Sequence, residues 1–268
     1  MNGELNMQFF LSAESMLITV KSKTFIYMKN VWVIAKREFN SFFDSLIAII
    51  MIVLFLGFTG FFTWITGSDI FLVGQANLRS FFGIAYWTLF FFIPALTMRL
   101  LAEEKKTGTI EILLTKPVTD RQVILGKYLA TVLLIAVTLA FTLPYVITVA
   151  KLGNMDLGGT ICGYLALLLI SAAYASIGVF ASSLTNNQIV AFLLALFIGL
   201  FFHVIFQIVA SGMKGLLGQI INTLSMTVHF ESLSRGVLDS KDLIYFGSLI
   251  FMGLFLAEVS LSKRNAYK

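Results

Sequence analysis

The sequence predicts an all-α integral membrane protein with six transmembrane helices, and composition and length are the first observations that predict it. Apolar residues make up 58% of the 268 residues and charged residues only 12%, whereas soluble domains carry about 25% charged residues. So few charged side chains cannot cover a surface exposed to water. Six spans of about 20 residues use roughly 120 residues, which leaves no room for a separate soluble domain.

Six apolar segments are long enough to cross a bilayer. The first, 46–65, contains thirteen Leu, Ile, Val or Phe residues, which favour insertion by about 4–8 kcal/mol at roughly 0.3–0.6 kcal/mol each. The other spans are predicted at 80–98, 128–150, 160–181, 189–210 and 243–261. The polar cluster at 182–188 divides a charge-free run that is too long for one helix, and the count of six depends on this division.

The placement of Lys and Arg predicts the orientation of the chain in the membrane. Fourteen of the 19 basic residues fall on the side that holds both termini, and five fall on the other side. Both termini are therefore predicted to be cytoplasmic. Segment 29–43 mixes apolar and basic residues and is predicted to be a helix in the membrane interface, with Trp32 at headgroup depth. A soluble leader segment is the alternative.

The sequence contains no signature of a common catalytic or metal site. It has one cysteine and two histidines, and it lacks a G-x-x-x-x-G-K-[ST] phosphate loop, an H-E-x-x-H motif and a G-x-S-x-G motif. The net charge of +5 lies beside apolar runs rather than on a soluble face, so nucleic acid is not expected as a partner. Residues 1–27 lack a secretory signal pattern and are predicted to be a dispensable tail or a mis-assigned start, which leaves 28–268 as one membrane domain.

A few ionisable residues outside the cytoplasmic connections need an explanation. His203 falls in the fifth span and is expected to be a neutral side chain bonded to a neighbouring helix, with a role in a transport pathway as the alternative. Glu231 and Arg235 are spaced i, i+4 and are predicted to pair on a helix outside the membrane. Glu258 is expected to reach the membrane interface or Lys263.

The connection between spans 2 and 3, residues 99–127, carries the most specific local signals. The second span is predicted to continue as a helix through 99–106, and Gly108 can close this helix in a left-handed conformation. A short amphipathic helix is predicted at 109–114, and Pro117 prevents that helix from continuing.

A new helix is predicted to begin at Asp120. Thr119 and Gln122 match a capping box, and Val118 and Val123 match a hydrophobic staple. The connection is therefore predicted to be a stiff cytoplasmic helical elbow. The residues alone support two interpretations equally: a docking element for a cytoplasmic partner, or an ordinary interfacial loop.

Segment 103–119 resembles a known signature. It reads Glu-Glu-Lys-Lys-Thr-Gly-Thr-Ile-Glu-Ile-Leu-Leu-Thr-Lys-Pro-Val-Thr, which is similar to the E-x-x-x-G-T-x-E-x-L-x-x-x-P-[VI] pattern of ABC-2 type transporter permeases. The resemblance is specific because charge, glycine, proline and spacing coincide, and it covers about 28–268. Within that family the chain most resembles permeases of the gliding-motility and copper-processing types, and the run at 229–237 supports that subgroup.

The resemblance implies the permease subunit of an ABC transporter, an exporter, in a bacterial cytoplasmic membrane. The implied partners are a separate cytoplasmic ATPase subunit, a second permease chain, identical or related, and the lipid bilayer. ATP and Mg would be bound by the ATPase, so this chain is expected to hold no cofactor and to be no enzyme. The residues that would shape the ATPase-coupling elbow are Glu103, Glu104, Thr107, Gly108, Thr109, Glu111, Leu114 and Pro117, with Thr119 and Gln122 capping the next helix.

Other functions are open at this stage. A complex that transmits force or assembles machinery, as in gliding motility, would use the same elbow and ATPase without moving a solute. A secondary transporter is disfavoured because that class keeps ionisable groups at mid-membrane, where this sequence offers only His203. A membrane-bound enzyme is disfavoured because no carboxylate pair lies within the spans.

Overall fold

The predicted all-α membrane fold is confirmed by a computed structural model, which describes residues 27–65, 77–109 and 118–265. Its helices are α1 (27–44), α2 (Ile47–Trp64), α3 (Arg79–Thr97), α4 (Ala102–Thr107), α5 (Asp120–Ala140), α6 (Leu143–Leu152), α7 (Leu157–Leu184), α8 (Gln188–Leu200), α9 (Phe206–Ser211), α10 (Leu216–Asn222), α11 (Met226–Ser234) and α12 (Ser240–Asn265). Six segments of the described residues are long and apolar enough to cross a membrane. In order, spans 1 to 6 are Ile47–Trp64, Arg79–Thr107, Asp120–Leu152, Leu157–Leu184, Gln188–Ser211 and Ser240–Lys263.

Helix α7, which forms span 4, is the centre of the bundle. It contacts α3, α5, α8, α11 and α12. In its most apolar stretch of 18 residues, 78% of the residues are buried, compared with 22% in the corresponding stretches of spans 1, 5 and 6. Two glycines allow close packing: a β-carbon at Gly178 would lie 2.0 Å from Thr97 Oγ1, and one at Gly163 would lie 2.4 Å from Phe82 Cε2. Small residues let helix backbones approach closely in membranes, where packing contacts hold helices together.

The polar cluster at 182–188 divides spans 4 and 5, as predicted. Helix α7 ends at Leu184 and α8 begins at Gln188. The side chain of Asn187 caps the new helix, because its Oδ1 accepts a hydrogen bond from the Ile189 N–H at 2.9 Å. The count of six spans, which depended on this break, therefore agrees with the structure.

Span 3 is longer than predicted and consists of two helices. Its helix begins at Asp120, as the capping box predicts, so it extends beyond the apolar stretch predicted at 128–150. It is interrupted after Ala140, before α6. The Thr142 hydroxyl lies in the interruption and donates to the Leu139 carbonyl at 2.6 Å. Pro144 occupies the first turn of α6, where a helix does not need the N–H that proline lacks.

Span 5 contains a π-helical turn at Phe201–Ile205, and His203 lies within it. The ring of His203 is buried and stacks on Tyr86 at 4.1 Å between ring centroids. Its Nδ1 is hydrogen-bonded to the Tyr174 hydroxyl of span 4, so the predicted bond to a neighbouring helix is present. The His203 carbonyl accepts a hydrogen bond from Thr227, which ties span 5 to α11.

Helix α11 is held against span 6 by a buried histidine contact that the sequence did not suggest. His229 Nδ1 lies 2.6 Å from Asp242 Oδ1, and Nε2 lies 2.9 Å from the Thr223 carbonyl oxygen. The predicted pair between Glu231 and Arg235 is present at 3.2 Å on the exposed face of the same helix. Of these contacts, the one between His229 and Asp242 holds the segment between spans 5 and 6 against span 6.

Candidate functional site

The elbow helix α4 is attached to the end of span 4 through one serine hydroxyl. Ser182 Oγ accepts hydrogen bonds from the N–H groups of Leu101 and Ala102, each at 3.0 Å, and donates to the Met98 carbonyl at 3.0 Å. A hydroxyl can accept twice and donate once. Ser182 therefore satisfies backbone groups at the turn between α3 and α4, where helix ends leave them without intrahelical partners.

The next residue of span 4 makes a second attachment. The carbonyl of Ser183 accepts a hydrogen bond from Lys105 Nζ of the elbow. The same carbonyl accepts from Ser260 Oγ of span 6 at 3.0 Å. The elbow, span 4 and span 6 thus meet at one carbonyl oxygen at the end of the bundle.

Gly108 ends α4 in the left-handed conformation that the sequence predicts, with φ of 74°. A β-carbon at this position would meet no atom of the described residues within 4 Å. The requirement for glycine is therefore conformational and not a lack of space. Thr107 Oγ1 donates to the Glu103 carbonyl at 2.9 Å and lies 2.9 Å from Thr109 Oγ1, so the threonines on either side of Gly108 are linked.

Four charged residues join the elbow to two other helices, and we call them the Lys127 cluster: Arg37, Glu38, Glu104 and Lys127. Lys127 of α5 has a side chain that is only 1% exposed, and its Nζ lies 2.7 Å from Glu104 Oε1 and 3.3 Å from Glu38 Oε2. Arg37 lies 2.8 Å from the other oxygen of Glu38. The cluster connects α1, α4 and α5 through three side chains that are largely buried, Glu38, Glu104 and Lys127, while Arg37 remains 54% exposed.

The electrostatics of the Lys127 cluster favour the charged form of Glu38. Burial by itself would raise the pKa of the Glu38 carboxyl, but the ammonium of Lys127 and the guanidinium of Arg37 outweigh burial and lower that pKa. A buried ion pair adds little net stability, because desolvation offsets the attraction between the charges. Removing one partner is nevertheless strongly destabilising, because the other charge is left buried and unpaired. The cluster therefore resists separation of its three helices.

Helix α1 packs directly on the start of span 3. A β-carbon at Gly126 would lie 2.6 Å from Ile34 Cγ2, so α1 lies against the backbone of α5 at this glycine. Ile34 also forms a small apolar cluster with Val123, to which Val118 adds a partly buried contact. The N-terminal helix is thus part of the same assembly as the elbow.

The predicted capping box at the start of span 3 is present. Thr119 Oγ1 accepts from the Gln122 N–H at 3.3 Å, and Gln122 Oε1 accepts from the Thr119 N–H at 2.9 Å. Gln122 Nε2 also donates to the Tyr27 carbonyl at 3.4 Å, so the capping residue contacts α1 as well. The cap fixes the direction in which span 3 leaves the elbow.

The structure divides the predicted coupling residues into two groups. Thr107, Gly108 and Thr109 are exposed, and Glu103 is half-exposed beside Arg99, with Arg99 Nε 3.1 Å from Glu103 Oε2. Glu104 instead turns inward to Lys127. The remaining predicted residues, Glu111, Leu114 and Pro117, lie outside the described residues.

Glu104 was predicted to belong to the elbow, but the two residues that anchor the elbow from other helices, Lys127 and Ser182, carry no sequence signal for that role. By sequence, Lys127 is one of several basic residues in the connection 99–127, and Ser182 is one of several polar residues in the cluster at 182–188. Glu104 and Lys127 are 23 positions apart, and Leu101 and Ser182 are 81 positions apart. No local pattern links positions so far apart in sequence.

A polar cavity of about 370 Å³ lies at the elbow and is lined by the Lys127 cluster together with Arg99 and Glu103. Its charged lining consists of three basic and three acidic side chains, so it selects neither anions nor cations by net charge. Within the described parts of the chain, no three His, Cys, Asp or Glu side chains are grouped to hold a metal ion. The ion pairs in this lining join α1, α4 and α5.

Comparison with known families agrees with this architecture. A family model described as ABC-2 family transporter protein matches residues 32–261, which is most of the chain. A comparison with curated proteins found no match. The matched range contains α2 to α11 entirely, with most of α1 and α12, so all six spans and the elbow lie within it or overlap it. The chain therefore belongs to the ABC-2 family of transporter proteins and is a multi-pass membrane component of an ABC transporter.

Proposed function

We propose that this chain is a permease subunit driven by a separate cytoplasmic ATPase that contacts the elbow. The observation that carries the proposal is the double attachment of α4, through Ser182 to span 4 and through Lys127 to span 3. A force on α4 would move both spans, because these contacts are buried and leave the elbow little independent freedom. Coupling between distant sites requires such a physically connected element.

The exposed end of α4 offers the surface for the partner. We assign the contact to Glu103, Thr107 and Thr109, which the bundle does not cover. Glu104 would transmit movement rather than touch the partner, because its side chain is engaged by Lys127 at 2.7 Å. Glu111, Leu114 and Pro117 would complete the contact according to the family signature.

The positions of α1 and of the end of span 6 support a common cytoplasmic side. Helix α1 reaches the elbow through the Lys127 cluster, and the end of span 6 reaches the start of span 3 through Ser262 and Asp120 at 3.4 Å. The N-terminal helix, the elbow and the end of span 6 therefore share one end of the bundle. We propose that this end faces the cytoplasm of a bacterial cell, as the distribution of basic residues predicts.

The sequence contains no phosphate-binding loop, so ATP and Mg would be bound by the partner chain. We further propose that two permease chains, identical or related, enclose one pathway, and that transport is outward. A complex of the gliding-motility type, which would transmit force without moving a solute, shares the elbow and the ATPase. Reconstitution in vesicles separates the two: a transported lipid, glycan or peptide stimulates ATP hydrolysis in an exporter.

Site-specific crosslinking tests the docking surface. A Thr107→Cys variant in a Cys162→Ser background would carry a thiol-linked photoreactive group on the elbow, and a Ser234→Cys variant would carry it on α11. We expect the Thr107 position to capture a chain that mass spectrometry identifies as an ATPase with a phosphate-binding loop, and the Ser234 position not to capture it. Equal capture at both positions, or capture of no ATPase from Thr107, would exclude the elbow as the contact.

A further inference from the structure

A groove of about 830 Å³ runs along span 6 and ends against the start of span 3. Its walls are apolar over most of their length, with Phe251 and Phe255 of α12 on one side and Ile124 and Leu125 of α5 on the other. Phe251 is 66% exposed and Phe255 is 52% exposed, so the groove opens to the side of the bundle. In a membrane this opening faces hydrocarbon.

The length of the groove matches one leaflet of a bilayer. Its lining extends along α12 from Gly247 to Lys263, which at 1.5 Å per residue is about 24 Å. Half of a bilayer's hydrocarbon core with its headgroup layer measures roughly 20–22 Å. At the deep end, a β-carbon on Gly247 would meet no atom of the described residues within 4 Å, so that end of the groove is open space.

The shallow end of the groove carries charge. Arg121 and Lys263 line it together with one carboxylate, Glu258. Glu258 was expected to reach the interface or Lys263, and at this end of the groove its Oε2 lies 3.9 Å from Arg121 Nε. That distance exceeds the roughly 2.7–2.9 Å of a charge-assisted hydrogen bond, so the guanidinium keeps donors for another anion. Asp120 lies nearby but is turned to Ser262, at 3.4 Å.

We propose that this groove binds an anionic phospholipid of the leaflet on the elbow side, with its phosphate between Arg121 and Lys263 and an acyl chain along Phe251 and Phe255. Basic pockets between transmembrane helices on the cytoplasmic side are suited to anionic headgroups. The volume and the apolar walls suit one acyl chain, and the two cations outnumber the single carboxylate of the lining. The bound lipid would hold the end of span 6 against the start of span 3, beside the elbow.

The test measures lipid retention by native mass spectrometry and the thermal unfolding midpoint of the purified full chain. Phosphatidylglycerol should be retained and should raise the midpoint. Phosphatidylcholine at equal concentration should be retained about tenfold less and should raise the midpoint less. An R121Q/K263Q variant should lose this preference. The matched control is Glu258→Gln, which breaks the same ion pair but keeps both cations and should retain phosphatidylglycerol at least as well as the natural chain.

A second variant tests the acyl-chain portion without touching the charges. Gly247→Phe places a ring in the open deep end, so the chain should fold normally in phosphatidylcholine but retain less phosphatidylglycerol. Equal retention of both lipids by the natural chain, or unchanged retention by R121Q/K263Q, overturns the proposal. So does inorganic phosphate raising the midpoint as much as the lipid, since the site would then recognise phosphate alone. Disulfide formation between two Phe251→Cys chains in membranes would show that a second copy occupies the groove.

Discussion

Replacing Lys127 by methionine removes the central cation of the Lys127 cluster and leaves two acidic side chains facing each other. At an effective dielectric constant of about 20, the attraction of Lys127 to Glu104 across 2.7 Å is about 6 kcal/mol, and to Glu38 across 3.3 Å about 5 kcal/mol. Desolvation of the ammonium and repulsion between the carboxylates offset most of that attraction. The net cost is therefore smaller than the direct terms.

Removal of one partner from a buried ion pair costs about 3–5 kcal/mol. The lower end applies to Lys127→Met, because Arg37 remains 2.8 Å from Glu38 and because the side chains of Glu38 and Glu104 are 14% and 20% exposed. We expect a loss of about 3 kcal/mol, which is roughly a 100-fold change in the unfolding equilibrium. Denaturant titration of the purified chain in detergent, followed by tryptophan fluorescence, measures that loss.

Two further variants test whether the loss of stability in Lys127→Met is caused by the uncompensated charges of Glu38 and Glu104. Adding Glu38→Gln and Glu104→Gln to Lys127→Met removes the uncompensated charges, so the triple variant should recover part of the lost stability. The exposed Lys151→Met control should stay within about 0.5 kcal/mol of the natural chain. A loss below about 1 kcal/mol for Lys127→Met, or a triple variant less stable than the single one, would refute the reasoning.

Three other perturbations have defined outcomes. The pKa of Glu38 is lowered in the folded chain, so its carboxylate contributes to the free energy of unfolding above the unfolded-state pKa. That contribution is lost as pH falls through the folded-state pKa. Between neutral pH and about pH 3, the free energy of unfolding should therefore fall less for Glu38→Gln than for the natural chain. Gly178→Leu should cost several kcal/mol or prevent folding, since its β-carbon would lie 2.0 Å from Thr97 Oγ1, whereas Gly57→Leu, with open space, should retain a normal yield of monodisperse protein. Gly108→Val should lower the free energy of unfolding by about 1–2 kcal/mol in denaturant titration, and Gly108→Asn should lower it less, because φ is 74° and asparagine tolerates the left-handed region. Equal losses for the two variants would argue against a conformational role for Gly108.

Lys127 is predicted to transmit movement from α4 to span 3 without contacting the proposed ATPase. Lys127→Met should weaken the link between α4 and span 3 while leaving the exposed threonines of α4 in place. If the proposed ATPase docks on those threonines, the variant should still bind it but transmit its movement poorly. Retained ATPase binding with reduced substrate-stimulated hydrolysis would separate transmission from docking, and loss of binding would place Lys127 in the contact itself.

The number of spans, the break at 182–188, the end of α4 at Gly108 and the start of α5 at Asp120 could all be predicted from the sequence. Each of these follows from a local cause. A membrane span requires an uninterrupted apolar helix, because backbone groups cannot be left unsatisfied in hydrocarbon. A capping box needs only Thr119 and Gln122, and Gly108 ends a helix through its own backbone freedom.

The side chains that anchor the elbow from other helices could be identified only from the packing of the folded chain. By sequence, Ser182 belongs to a helix break and Lys127 to a basic stretch beside a span. The partner of Ser182, Leu101, lies in the turn before α4, and the partner of Lys127, Glu104, lies in α4 itself. Which helices become neighbours depends on how all the spans pack around span 4. The hydropathy of a segment predicts that it lies in the membrane but does not predict which other helix it contacts. The physical reason is that helix formation is local, whereas charge pairing and groove shape depend on which helices pack together.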